Sequence, residues 1–430
     1  MRHWLMLLSL LCSIGPSARA DVQGLTLLDA VQSESRAFRS LEPPILGDDG
    51  AAYWSAYFSD EPGYWRLESE SGTLASETRT VIEAGDFPLS GRPTDARGPV
   101  VLLSGSYYVH APAAPGGFEG TGAIYSYPGL SRLVYFGSTF PGFTSDPVGL
   151  QVWSHAFLDA DNSVVFQMQR ATIVPEFTYA ICRATGGAIA ILVQTGVTVV
   201  PGGDGGAFTV LRNPIVDGGV ILFYGKGGGR RGVYQLVGGV ISIVVDDQTT
   251  LPGNSSPTFI TDHGNVLFAN DGLDVALVAF GGVWKRIDGQ WSRIVAHGEP
   301  IPNGTGEFGS FRSPAIRDGK VVFHGGPYNH YGYTTGIYAD AFGGVTRVVD
   351  LSTPFVHDFP RDFIVAEGGR WFDGTDIAFA VQGSESGIGL DGLWRAIYRT
   401  TLVPEPARAL ASATAFAALA AIRRRRSHVS

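Results

Sequence analysis

The sequence predicts an all-β protein, a seven-bladed β-propeller closed by its own N-terminal strand, with a C-terminal hydrophobic helix outside the ring. Three observations predict it. The 430 residues include 58 glycines, 11% aromatic residues and only 17% charged residues, a turn-rich and strand-rich composition. A unit of four short apolar runs returns at intervals near 50 residues, the period of propeller blades. Incomplete units stand at the two ends, and each supplies what the other lacks.

The unit is clearest in residues 308–350. Phe308 to Ile316 forms a first strand, and Arg317-Asp318-Gly319 turns into Val321-Val322-Phe323. Gly336-Ile337-Tyr338 is a third strand, and Gly343-Gly344 opens a fourth that ends at Asp350. Asp-Gly and Gly-Gly between alternating apolar residues mark tight hairpins, whose turns need the positive φ that glycine takes freely.

Seven such units align on the residue that closes the second strand: Trp54, Leu102, Phe166, Phe223, Phe268, Phe323 and Phe379. On the third strand an aromatic follows a small or apolar residue, as in Tyr64-Trp65, Ile124-Tyr125, Val233-Tyr234, Val283-Trp284, Ile337-Tyr338 and Leu393-Trp394. In the third unit that slot reads Ile181-Cys182, so Cys182 replaces a core aromatic and is expected to be a buried, inert thiol. Segments 246–253, 137–142 and 296–304 are Pro- and Gly-rich turns that link one unit to the next. The seventh unit lacks a fourth strand, and Leu25 to Asp29 has the pattern of one, so the N-terminal strand is expected to complete the last blade and remove its open edge.

Seven of the 31 Lys and Arg lie in the two terminal segments, which hold none of the 40 acids, so residues 21–406 carry a net charge of −16. A surface that acidic repels phosphate backbones and argues against nucleic acid as a partner. Residues 1–20 read as a signal peptide: Arg2 and His3, an apolar run from Trp4 to Cys12, and Ala18-Arg19-Ala20 for cleavage between Ala20 and Asp21. Ser9-Leu10-Leu11 lacks the small residue that a lipoprotein signal places before its cysteine. Once Cys12 is removed, Cys182 has no partner for an internal disulfide.

Residues 403–430 follow the repeat domain at 21–402 with Val403-Pro404-Glu405-Pro406, an alanine-rich apolar run from Ala409 to Ile422, and Arg423, Arg424, Arg425 and Arg426. The run is short of the roughly 20 residues that span a bilayer core, so it should insert marginally, with the arginines held in the cytoplasm. This three-part tail resembles the PEP-CTERM sorting signal of Gram-negative bacteria that make exopolysaccharide. The resemblance implies an exported protein, a transient inner-membrane anchor, and processing by an exosortase that leaves the protein at the cell surface or in the extracellular matrix. Signal peptidase and exosortase are then its processing partners. The repeat region is similar, more loosely, to tandem-repeat propeller domains found ahead of such tails.

Chemistry is harder to find. His324, His330 and His357 are candidate ligands in a polar cluster with Asp358, Arg361 and Asp362. Yet the position of His324 holds Ser55, Leu103, Gln167, Tyr224, Ala269 and Ala380 in the other units, which argues for local packing. Asp159-Ala160-Asp161-Asn162 lacks the glycine and distal glutamate of a calcium loop and sits where other units have hairpin turns. Residues 225–232, GKGGGRRG, have no phosphate-loop spacing and read as a hairpin tip with a small basic patch. The sequence therefore leads to no catalytic residue, metal site or cofactor. It points to a non-catalytic propeller that binds polysaccharide, a surface protein or an ion through its exposed loops, near which Tyr107, Tyr108, Tyr328, Tyr331 and Tyr333 are available to stack on sugar rings. The alternative is a carbohydrate-active hydrolase or lyase with its site in the channel.

Overall fold

The computed structural model describes residues 25–32, 38–58, 64–78, 90–97, 100–110, 118–128, 131–134, 150–170, 178–255, 267–279, 281–327, 336–341, 343–353, 355, 360–384 and 393–402. The signal peptide, the sorting tail with its expected helix, His330, His357 and the loop tyrosines 328, 331 and 333 lie outside them. Among the described residues no helix is long and apolar enough to cross a membrane.

The described strands form seven antiparallel sheets, each a meander of four strands; in the first, Ile45–Leu46 adds a short extra strand. Each sheet neighbours the next in chain order, and the last touches the first, a propeller-like arrangement. The last sheet consists of Pro360–Ile364, Asp376–Ser384 and Leu393–Thr401, and its outer edge is filled by Thr26–Gln32, which pairs antiparallel with Leu393–Thr401. The N-terminal segment thus sits where the incomplete seventh unit left room for it.

The core repeats as well. Phe223 stands opposite Tyr234, Phe323 opposite Tyr338, and Phe379 opposite Tyr398. The three pairs stack alike, with ring centroids 5.8, 5.9 and 5.9 Å apart. A third ring, at or just before the start of the same sheet's first strand, stands edge-on to each tyrosine: Phe208, Phe308 and Phe355 at 5.0, 4.8 and 5.1 Å. Edge-on and offset contacts suit the aromatic quadrupole and add about 0.5–1.5 kcal/mol per pair to the burial itself. Gly225 and Gly325 make room for this, since a Cβ at either would lie within 3.0 Å of the Phe208 or Phe308 ring. In the third sheet Cys182 stands opposite Phe166 in the same slot, fully buried, and burial pushes its thiol up to about 12.

Four register expectations need correction. In the first sheet Trp54 faces Glu68 rather than Trp65, and in the second Leu102 faces Ser126 rather than Tyr125. In the fifth sheet the residue opposite Trp284 is Leu277, and Phe268 lies on the first strand rather than the second. In the seventh, Tyr398 faces Phe379, whereas Trp394 pairs with Gly383 at the strand's start. These errors come from aligning the units on conspicuous aromatic or leucine residues, which do not always occupy the paired positions. In the expected basic patch at 225–232 both arginines are paired with acids, Arg230 2.6 Å from Asp246 and Arg231 3.7 Å from Asp247.

Hydrogen bonds tie each sheet to the next at one end of the molecule, where first strands turn into second strands. The Leu158 amide donates to Asp95 (2.8 Å), the Gly219 amide to Asp159 (3.0 Å), the Gly272 amide to Asp217 (3.0 Å), and the Asp318 amide to Asp271 (2.7 Å). Four carboxylates near the ends of successive first strands thus each grip the following sheet. Lys320 donates to the Gly374 carbonyl (2.6 Å), linking the sixth sheet to the seventh, and the Leu46 amide donates to the Arg370 carbonyl (2.6 Å), linking the seventh to the first. Asp48 and Ala96 join first and second sheets.

Candidate functional site

The first-strand turns converge on a cavity of about 480 Å³ at this end of the molecule. Most sheets make that turn in two residues; the seventh inserts residues 365–375 between Pro360–Ile364 and Asp376–Ser384. The insertion contains a one-turn 3-10 segment, Glu367–Gly369, that packs against the first strands of the fifth and sixth sheets. Gly368 (φ 69°) and Gly369 (φ 80°) are required here by both backbone and space. A Cβ on Gly368 would fall 2.4 Å from the Phe157 ring of the third sheet, and one on Gly369 would fall 3.0 Å from Ala269 of the fifth. Trp371, further along the insertion, is fully buried.

Arg370, next in the insertion, aims its guanidinium at two carboxylates from different sheets. Its Nε lies 3.1 Å from Asp95 and its Nη1 3.4 Å from Asp217, while Nη2 donates to the Val216 carbonyl at 2.7 Å. The group also lies 5.8 Å from the centre of the Phe157 ring. Asp217 receives Arg97 from the second sheet and Arg317 from the sixth, each at 3.2 Å, and Arg317 also meets Asp271 at 2.8 Å. Three arginines thus face three aspartates drawn from sheets two, four, five, six and seven.

Electrostatics separates the two central acids. Burial pushes the Asp217 carboxyl up, but Arg370, Arg317, the Gly272 amide and Arg97 outweigh it and hold the group below the ordinary carboxylate range. Asp95 is fully enclosed, and burial wins over Arg370 and the Leu158 amide, leaving its carboxyl raised. The rim adds further acids. Asp49 accepts from the Tyr53 hydroxyl (2.7 Å) and the Ala51 amide (3.0 Å), and Asp373 from the Thr375 and Asp376 amides. The mouth therefore presents fixed carboxylate oxygens beside guanidinium N–H groups, with Arg97 and Arg317 partly exposed at 20% and 28%.

The one candidate histidine among the described residues falls elsewhere. His324 is 4% exposed and packs against the Phe363 and Trp371 rings at 6.4 and 5.6 Å. Burial, aided by Arg312, pushes its imidazole down to about 3, so it is neutral at physiological pH. Asp362, which the sequence placed in the same cluster, is pushed up to about 6 by burial against the opposing pull of the Phe363 amide and Arg312. The histidine thus packs against the inserted segment and does not line the mouth cavity. Among the described residues no group of three His, Cys, Asp or Glu could hold a metal ion. Asp159 and Asp161 do lie in a hairpin turn, as expected, with Asn162 at φ 60°. Asp159 does more than turn the chain: besides Gly219 it binds Arg183 at 2.6 Å.

Sequence reasoning missed the mouth cluster altogether. One signal was present, because only the seventh unit separates its first and second strands by eleven residues, and those residues read VAEGGRWFDGT.

A family model described as a family of unknown function, DUF7453, matches residues 113–397. Among curated proteins none matches. Among solved structures, a Trypanosoma rangeli sialidase is similar at 12% identity with a TM-score of 0.36, covering 85% of this chain and 54% of its own. The chain thus spans about half the length of that protein. The parainfluenza virus 5 hemagglutinin-neuraminidase ectodomain is similar at 8% identity with a TM-score of 0.33, covering 90% of this chain and 87% of its own.

Proposed function

The chain belongs to the family of unknown function DUF7453, so its activity is read from its own groups, and we propose that it is an exported surface or matrix protein that binds a saccharide at the mouth without cleaving it. The observation that carries this reading is the cavity of about 480 Å³ whose arginines are already neutralised by aspartates from other sheets. A cavity of that size suits a small ligand. A guanidinium offers only donors and a carboxylate only acceptors, and a sugar hydroxyl uses both. Net charge at the mouth is not positive, which disfavours an anion. Asp217 is held ionised by its arginines, so it has no proton to give as a general acid, and Asp95 is sealed beneath Arg370. In this reading the seven sheets are blades of one ring, closed where Thr26–Gln32 completes the last. The leader is removed between Ala20 and Asp21, and the tail from Val403 directs exosortase sorting to the surface.

A glycan array probed with the full-length chain and with Arg97→Ala tests the binding. Retention of a related set of glycans by the wild type, lost in the variant, is the expected outcome; equal retention by both removes the mouth from consideration. Sorting is tested separately by changing Pro404, Glu405 and Pro406 to alanine, which should leave a larger, membrane-retained form. Normal release of that variant rules exosortase out.

One observation favours the second reading, a carbohydrate-active hydrolase or lyase. Asp362 has a carboxyl near 6, in the range useful for proton transfer at neutral pH, and lies within the electrostatic reach of Arg312. Glycan products released by the wild type between pH 5 and 7, and abolished in Asp362→Asn, would establish that reading instead.

A further inference from the structure

A second cavity, about 460 Å³, opens between the third and fourth sheets at the same end of the molecule. Its floor is apolar, formed by Leu192, Ile221 and Leu236, and its rim carries Asp161 and Arg183. The remaining wall is Asp159, Ala160 and the glycine backbone of two turns, which gives a ligand close access to main-chain N–H and C=O groups. This cavity and the mouth are lined by consecutive residues of one turn. Asp217 faces the mouth, and the next two residues, Gly218 and Gly219, border the groove. The same adjacency recurs on the third sheet: the Leu158 amide is bound by Asp95 of the mouth, and Asp159 lines the groove. Asp159 also grips the Gly219 amide, which fixes the dividing ridge in place.

We propose that this groove is a second subsite continuous with the mouth, so that the face accommodates a saccharide chain running outward between the third and fourth sheets. The proposal rests on saccharide binding at the mouth and adds direction and length to it. An apolar floor flanked by a carboxylate and a guanidinium matches a sugar ring, whose C–H face is apolar and whose hydroxyl edge is polar. Two cavities of similar size joined at a narrow ridge fit successive units of one chain better than a single compact ligand.

The test is a length series: oligosaccharides of one to six units cut from cellulose, dextran, chitin and alginate, titrated into the full-length chain. In the series that binds, affinity should rise by about tenfold or more between the shortest binder and the longest, equivalent to about 1.4 kcal/mol. Ala160→Trp places bulk in the groove from an exposed turn and should abolish that rise without changing affinity for the shortest binder. Asp161→Ala, which removes a rim acceptor without adding bulk, should reduce the rise. Flat affinity with length, or a full rise retained in Ala160→Trp of wild-type melting temperature, overturns the second subsite and leaves the mouth reading standing. Failure of every series at every length overturns both.

Discussion

Replacing Arg370 with methionine removes the charge that joins the inserted segment to the second and fourth sheets while keeping most of the side chain's length. Arg370 is 10% exposed, Asp95 is 2% exposed at its side chain, and the pair lies 3.1 Å apart. Breaking a buried ion pair from one side costs about 3–5 kcal/mol, because the remaining charge stays buried without compensation. At about 2.1 cal/mol/K per residue, a fold of about 380 residues has an unfolding entropy near 0.8 kcal/mol/K, so the melting temperature should fall by about 4–6 °C. The loss should depend on pH. Asp95 already has a raised carboxyl, and a raised acid contributes stability below its unfolded value that is lost as pH rises through the folded one. Without Arg370 it rises further, so the penalty should be largest at pH 7.5 and shrink toward pH 5. Thermal unfolding followed by circular dichroism at both pH values reads the effect. Adding Asp95→Asn should recover part of the loss, since removing both charges leaves nothing uncompensated. A fall under 1 °C, or one that is equal at both pH values and untouched by the second substitution, refutes the buried-pair argument.

Other consequences follow from single groups. Asp159→Ala strands Arg183 and the Gly219 amide, and should cost about 1–3 kcal/mol of stability in chemical denaturation. Asp362→Asn should raise stability at pH 7.5 relative to pH 4, by up to about 3 kcal/mol, because a carboxyl near 6 loses stability as pH rises from the unfolded value through 6; the gain is read from melts across that range. Deleting residues 21–32 uncovers the edge of Leu393–Thr401 and should lower the melting temperature sharply, whereas unchanged unfolding would mean that the strand contributes nothing to closure. Cys182 should resist thiol reagents in the folded chain and react fully once it is denatured, as its burial and raised thiol require.

What the sequence disclosed was local, and what it concealed was convergent. A hairpin turn such as Arg317-Asp318-Gly319 declares itself through neighbouring residues, and so do the stacked pairs Phe223–Tyr234 and Phe323–Tyr338, since each lies within one unit. The N-terminal strand was legible because its pattern matched a missing piece. Register was less secure: Phe268 attracted the alignment as an aromatic, but packing against Trp284 in the fifth sheet uses Leu277. Apart from the length of the 365–375 insertion, the mouth left no mark in the sequence, because Asp95, Asp217 and Arg370 lie far apart in the chain and each resembles an ordinary turn residue until the fold brings them together. Asp159 shows both sides of this. Its turn was visible, but its grip on Gly219, 60 residues away, was not.

Hydrogen–deuterium exchange on the full-length chain, with and without the tightest binder from the glycan array, tests the central claim most directly. The account predicts new protection in the turns at 46–50, 95–97, 217–219 and 370–375, which surround the mouth, with the bound glycan recovered intact. Protection confined to the strands around Asp362 and His324, or recovery of cleaved glycan, would contradict it.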